Sequence, residues 1–263
     1  MTVQIVIPYF KAKEKLDRCL ENIRDSEYKD FDIYIRDNSL DNILFTAAVN
    51  EGIRDGLRSA SKRYFLILNQ DCYISPTALT TLVNAMDSNP EAGIISPIQT
   101  NENNQLTWAG SLDAFPNGKH QTIIDPKSDG APYETFWANG ACMMLRRELV
   151  EDIGLLDRNM KFICSDSDYS FTARARGWKV LVCPAATVEH SLQSSAGRGS
   201  NPAIELQKLL DVMYFCDKWL TGDLFRKLSF EGNSLDPKFL SHVKKLLEEA
   251  TSKIYKARRP PGN

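Results

Sequence analysis

Four strand-like runs, VQIVIPY at 3–9, FDIYI at 31–35, YFLIL at 64–68 and GIISPI at 93–98, alternate with segments whose apolar residues recur at helical spacing. Apolar runs that do not alternate mark strands covered on both faces, the condition of a parallel sheet between two layers of helices. The first intervening segment, KAKEKLDRCLENIRD, sets Leu16, Cys19, Leu20 and Ile23 at i, i+3, i+4 and i+7, one stripe of a helix. Residues 43–60 are helical in composition. Ser75 followed by Pro76 reads as an N-cap with proline at the first helical position, ahead of a stripe of Leu79, Leu82, Val83 and Met86. The order β-α-β-α-β-α-β predicts an α/β fold with a mostly parallel central sheet flanked by helices.

Beyond residue 98 the pattern weakens. Residues 99–138 are polar and rich in Gly and Pro, with a short strand-like piece at Leu106–Trp108, and read as irregular and substrate-facing. GACMMLRRELVEDIG then reads as a strand and a short helix. SDSDYSFTARARGWKVLVCP reads as a helix stopped near Gly177 and a further strand. After His190, LQSSAGRGSNP is a Gly/Ser-rich loop, and residues 202–255 are largely helical. The expected organisation is a main domain over 1–200, with halves 1–98 and 99–200, and a helical C-terminal extension over 201–263.

Charge narrows the partners. A chain of 263 residues with a formal net charge of -2 has no overall field that attracts nucleic acid. The apolar N-terminal run is too short to cross a bilayer, and its lysines follow rather than precede it, so neither a span nor a signal peptide is expected and the cytoplasm is the default. The six cysteines are scattered without a C-x-x-C, which argues against a zinc site or a disulfide framework. Lys253, Lys256, Arg258 and Arg259 make the tail basic. A solvated tail is the simpler reading; weak peripheral contact with anionic membrane is the minority one, at roughly 1 kcal/mol per basic residue.

In sheets of this kind ligands bind outside the carboxyl ends of the strands. Asp37 and the Asn69–Asp71 segment both follow strands, so both would face one crevice. A carboxylate and an amide two residues apart can hold a hard divalent cation through oxygen, although Asx residues after a strand also make turns with their own backbone. Asp166 and Asp168 open a helix, where a carboxylate is favoured by unpaired N–H groups and can equally serve as a cap. Positions i and i+2 do not share a helical face, so only one of the two can point at a given target. A carboxylate held in a cleft is a suitable general base for a hydroxyl. His190 is one of three histidines, a candidate metal ligand if a carboxylate lies near it.

These residues carry a resemblance. IVIPYF at the start, RDNS at 36–39, NEGI at 50–53 leading into YFLILNQDC, NGACMMLRRELVEDIGLLD at 139–157, SDSDYSFTARARGWKV at 165–180 and PAATVEH at 184–190 occur in the order found in family 2 glycosyltransferases of the GT-A fold. The chain most resembles the rhamnosyltransferase-like members. The resemblance implies an inverting, Mn2+- or Mg2+-dependent transfer of one sugar from a UDP-, dTDP- or GDP-sugar donor to a glycan or lipid-linked saccharide. It implies that Pro8, Asp37, Asn38, Asn69, Gln70 and Asp71 line the donor site, that Asp71 and His190 meet the metal, and that Asp166 is the base. Trp108, Gly140, Ala141, Ser165 and Asp168 would lie on the acceptor side.

Two departures stand out. Asn69 replaces the first aspartate of the family's D-x-D pair, and Ser165 replaces the glutamate before the base. They leave open a catalytically silent nucleotide-sugar-binding subunit as the alternative. A nucleotidyltransferase would need a Gly-rich phosphate loop after the first strand, where PYFKAKEK has no glycine. No Q-x-x-R-W motif of processive members is present, which favours single-sugar addition.

Overall fold

The computed structural model describes residues 2–111, 120–125, 128–190 and 201–219. Its strands are β1 (Val3–Tyr9), β2 (Phe31–Asp37), β3 (Tyr64–Leu68), β4 (Cys72–Ile74), β5 (Ala92–Thr100), β6 (Leu106–Trp108), β7 (Tyr133–Glu134), β8 (Cys142–Arg146) and β9 (Lys179–His190). They form one sheet in the order β2-β1-β3-β8-β5-β9-β4, with β6 paired to β5 and β7 to β9. In that row β1, β2, β3, β5 and β9 run one way, and β8 and β4 run against them, so the sheet is mostly parallel.

The helices are α1 (Lys13–Asp25), α2 (Leu44–Leu57), α3 (Ala78–Ser88), α4 (Arg147–Ile153), α5 (Ser165–Ala175) and α6 (Pro202–Trp219). They cover both sheet faces, which is why the strands read as continuous apolar runs. Ile5, Ile7, Leu66 and Leu68 pack with Leu16, Cys19 and Ile23 of α1 and Leu79, Leu82 and Met86 of α3. The intervening residues Val6, Phe65 and Ile67 face the other way, onto Val49 and Ile53 of α2, Leu149 of α4 and Tyr169 of α5. Emptying one such position, for example Phe65→Ala, costs about 3–5 kcal/mol. Helix α2 lies so close to the sheet that a Cβ on Gly52 would collide with Val6. All six cysteines are buried and unpaired. Among the described residues no helix is long and apolar enough to cross a membrane.

Three sequence expectations change. Ser75 does not cap α3. Its N–H donates to Thr187 O (3.2 Å) and its carbonyl accepts from Ala78 N (3.0 Å), so Ser75-Pro76 is a turn leaving β4 and the helix begins at Ala78. The segment 99–138, besides the expected piece at Leu106–Trp108 (β6), contributes a second short strand, β7. The last strand runs beyond VLVCP to His190, because it pairs with β5 again past a register shift between Pro97 and Ile98. Of the helical extension, α6 is described; the remainder, with the basic tail, lies outside the described residues, as does most of the loop after His190.

Reversal of β8 matters for function. Residues 139–141, which lead into β8, arrive at the same edge where β1, β2 and β3 end. The end of β9 and the start of β4 meet at that edge too, with Cys72 opposite His190.

Candidate active site

Four loops are stitched together along this edge. Asp37 is exposed at the end of β2, and its Oδ1 accepts from Ser39 N (2.8 Å). That turn, the alternative weighed from sequence, holds its carboxyl below the usual aspartate value. Ser39 Oγ in turn accepts from Lys11 N (3.0 Å). The Gln70 side chain clamps Phe10, accepting from its N–H at 2.6 Å and donating to its carbonyl at 3.2 Å, so this amide is spent on the loop after β1. Pro8 pairs with Arg36 in the β1–β2 register, one residue before that loop. Asn38 is buried. Its N–H donates to Tyr9 O (2.7 Å), while its Oδ1 is buried with no hydrogen-bond partner.

From Asn69 the stitching crosses to the other half of the chain. Asn69 N donates to Ala141 O (2.8 Å), and Ala141 N is held by Asn139 Oδ1 (2.9 Å). Next to Ala141, Gly140 N donates to Asp166 Oδ2 (2.9 Å), while Asp166 Oδ1 accepts from Ser167 N (2.8 Å) in the first turn of α5. Burial pushes the Asp166 carboxyl above the usual aspartate value, against the pull of the Gly140 and Ser167 N–H groups and of nearby His120. His120 stacks edge-on against Trp137, with ring centroids 5.6 Å apart.

Asp71 lies between two nitrogens, with its Oδ2 3.5 Å from Lys15 Nζ of α1 and its Oδ1 3.7 Å from His190 Nε2. His190 is buried, which lowers its pKa and keeps the ring neutral. Its Nδ1 lies 3.2 Å from Gln99 Oε1; with the proton on Nδ1 this contact is a hydrogen bond and the Nε2 lone pair faces Asp71. That Nε2 is buried without a hydrogen-bond partner. A buried lone pair facing a carboxylate oxygen fits a divalent cation, with Asp71 and His190 as protein ligands. Among the described residues no group of three or more His, Cys, Asp or Glu gathers as a full metal cage. The remaining coordination would come from ligand oxygens and water.

Other expected residues go elsewhere. Asp168 is buried and turned away from Asp166, toward α6, where its Oδ1 accepts from Trp219 Nε1 (2.7 Å) and pairs with Lys218 Nζ (2.8 Å). Trp108 is fully buried in a cluster with Ile98, Ala109 and Val182, away from any open surface. Ser165 is buried in the first turn of α5. Lys15 and Gln99 were not singled out from sequence. The only sequence signal for Lys15 is its place in the first turn of the helix after β1, and Gln99 had none.

Comparison with known proteins identifies the family and the fold. Residues 45–205 match the model of the family described as glycosyltransferase like family 2. The N-acetylglucosaminyl-diphospho-decaprenol L-rhamnosyltransferases of two Mycobacterium tuberculosis strains, CDC 1551 / Oshkosh and ATCC 25618 / H37Rv, are 23% identical over 158 residues. The match takes in 54% of this chain and 51% of theirs, so the chain spans about half the length of these curated relatives. The crystal structure of GalNAc-T7 with UDP, GalNAc and Mn2+ is similar with a TM-score of 0.63 at 13% identity, over 95% of this chain and 55% of that one. S. aureus TarS 1–349 in complex with UDP-GlcNAc is similar with a TM-score of 0.55 at 12% identity, over 95% and 72%. At such identities the likeness establishes the fold, which is GT-A. With more than half of its residues matched by the family model, the chain belongs to the glycosyltransferase-like family 2.

Proposed function

We propose that the chain transfers one sugar, with inversion, from a nucleoside-diphosphate sugar to a hydroxyl of a glycan or lipid-linked saccharide. Residues 1–98 bind the donor and 99–200 the acceptor. The observation that carries the reading is the fixed Asp166 carboxylate, bonded to Gly140 N at 2.9 Å, on the sheet edge that also holds Asp71 and His190.

Asp166 takes the proton of the acceptor hydroxyl as its oxygen bonds to the anomeric carbon, and the bond from that carbon to the diphosphate oxygen breaks with its electron pair leaving on the phosphate. A raised pKa leaves Asp166 a better base than an ordinary aspartate. Asp71 and His190 would hold Mn2+ or Mg2+, which would supply positive charge against the charge that develops on the departing diphosphate. Lys15, beside Asp71, adds a positive charge of the chain's own at the same place. Asp37, exposed at the end of β2 beside Asn38, meets the nucleoside.

The names of the relatives support the substrate classes: a lipid-diphosphate saccharide and rhamnosyl transfer for the mycobacterial enzymes, UDP and Mn2+ for GalNAc-T7, UDP-GlcNAc for TarS. The deciding experiment measures nucleoside-diphosphate release from UDP-, dTDP- and GDP-sugars with Mn2+ and a lipid-linked saccharide, in the wild type and in Asp166→Asn. Transfer lost in the variant with donor binding kept is the expected result. Turnover within a few-fold of wild type would remove Asp166 from the mechanism, and donor binding without release in the wild type would mean a silent binding subunit.

A further inference from the structure

We propose that α6 is a positioning element for Asp166, and that Asp211, a residue beyond the part of the chain matched by the family model, sets the geometry of the base. The inference rests on the reading of Asp166 as the acceptor-activating group.

Asp211 is fully buried. Its Oδ1 accepts from Lys161 N (3.0 Å) and from Gln207 Nε2 (2.7 Å), and its Oδ2 accepts from Phe162 N (2.7 Å) and Ile163 N (2.9 Å). Three consecutive backbone N–H groups thus converge on one carboxylate immediately before α5. From the opposite side α2 holds the same segment, with Thr46 N donating to Lys161 O (3.1 Å) and Thr46 Oγ1 bonded to Met160 O. The next residue, Cys164, stands in the left-handed region with φ 68, a conformation that a side chain disfavours and that persists only where its surroundings over-determine it. Cys164 is the N-cap position of α5, and its own side chain makes no capping hydrogen bond. Direction of the helix start, and with it the position of Asp166 two residues later, is therefore set by the carboxylate that fixes 161–163.

The far end of α6 grips the same helix. Lys218 and Trp219 bind Asp168, and the Trp219 and Phe215 rings pack on Phe171 at 5.5 and 5.6 Å. Asp166 lies between the two grips. Its carboxylate is anchored within the helix by Ser167 N and outside it by Gly140 N, on the loop it must face. A buried carboxylate is costly to keep, and a neutral loop of ordinary backbone would not need one. Holding a base against an acceptor is such a need, because displacement of a reacting group by about 1 Å lowers turnover by roughly a hundredfold.

The test compares full-length wild type, Asp211→Asn, Trp219→Phe and Asp166→Asn in kcat, donor KM, calorimetric donor affinity and melting temperature. Asp211→Asn keeps the side-chain shape but turns an acceptor into a donor facing N–H groups. Its kcat is expected to fall by roughly ten- to a hundredfold. Donor KM and affinity should stay within about twofold at a temperature where the protein is folded. Trp219→Phe keeps the ring on Phe171 and loses only the N–H to Asp168, so it should show a smaller loss of the same kind, and it serves alone if Asp211→Asn does not fold. A folded Asp211→Asn, or failing that Trp219→Phe, with wild-type kcat overturns the proposal. So does a parallel loss of kcat and donor affinity, which would mean general loosening. If Asp166→Asn is inactive while these variants are active, α6 loses its role and the base keeps its own; if Asp166→Asn turns over normally, the base assignment fails first.

Discussion

A β-carbon added to Gly140 would lie 3.1 Å from Oδ2 of Asp166, the oxygen that already accepts the Gly140 N–H at 2.9 Å. Gly140 is outside the left-handed region, so its glycine is required by this approach and not by backbone strain. Gly140→Ala forces the carboxylate or its loop back by a few tenths of an ångström. Turnover should fall on the order of tenfold while stability changes by less than about 1 kcal/mol, since the backbone tolerates alanine. Steady-state kinetics alongside a urea melt would separate the two. An unchanged kcat would mean that Asp166 can shift without consequence.

Gln99 orients His190, and that role is open to a direct test. Its Oε1 favours the tautomer with the proton on Nδ1, while its own Nε2 is buried with no partner. Replacing it with leucine removes an orphan donor but leaves the buried Nδ1 of His190 without its partner, so stability should fall by about 1–3 kcal/mol. The Mn2+ concentration for half-maximal activation should rise by roughly 10–100-fold, the usual effect of losing a partner that orients a metal ligand. His190→Ala should raise it at least as far. Equal metal dependence in Gln99→Leu and wild type would take His190 off the metal.

How much of this could be read from the chain follows from the range of the interactions. β1, α1 and β3 were legible because burial on both faces and a single helical stripe are local patterns. β4 was not, since three residues become a strand only by pairing with the end of β9, and neither was the reversal of β8, which no residue in CMMLR encodes. Ser75-Pro76 carries the same residues for a turn as for a helix start, and pairing of Ser75 with Thr187 decides for the turn. In the site, Asp37, Asn69–Asp71, Asp166 and His190 were legible as polar groups at element ends. Asp168 was misplaced because the sequence does not say which of two helical carboxylates turns inward. Lys15, Gln99 and Asp211 act on partners 56, 91 and about 50 residues away, and their own neighbours give no hint of it.

Asp166 predicts a pH signature with two readouts. Its carboxyl is raised by burial, so in the folded protein it ionises later than in the unfolded chain. As a base it must be ionised, and the acid limb of kcat should therefore lie above the ordinary aspartate value and vanish with the residual activity of Asp166→Asn. Stability moves the opposite way. Between the unfolded and the raised folded pKa the native state binds more protons, so this group's contribution falls as pH rises through that window. The penalty is absent below the unfolded value and complete above the folded one. Urea unfolding across acid pH should show this slope in wild type relative to Asp166→Asn, and coincident slopes would mean that the carboxyl is not buried.

The Asp168–Lys218 pair should behave as a buried ion pair whose loss is one-sided. Asp168 is 2% exposed at the side chain and Lys218 31%, with Nζ at 2.8 Å from Oδ1 and at 3.1 Å from Asp157 Oδ2. Burial raises the Asp168 carboxyl despite Lys218, while the two carboxylates raise the Lys218 ammonium despite burial. Neither charge is cheap to strand. Lys218→Met leaves a buried carboxylate with only the Trp219 N–H, and should cost about 3 kcal/mol. Asp168→Leu alone strands a partly exposed lysine that keeps Asp157, so its cost should be smaller. The double variant replaces both charges by apolar groups and should recover most of the loss, because the attraction between the charges largely offsets the cost of removing them from water. Denaturant unfolding of the four proteins gives the coupling directly. A coupling near zero would mean that water reaches Asp168, and that α6 is held by Asp211, Phe215 and Trp219 without help from this ion pair.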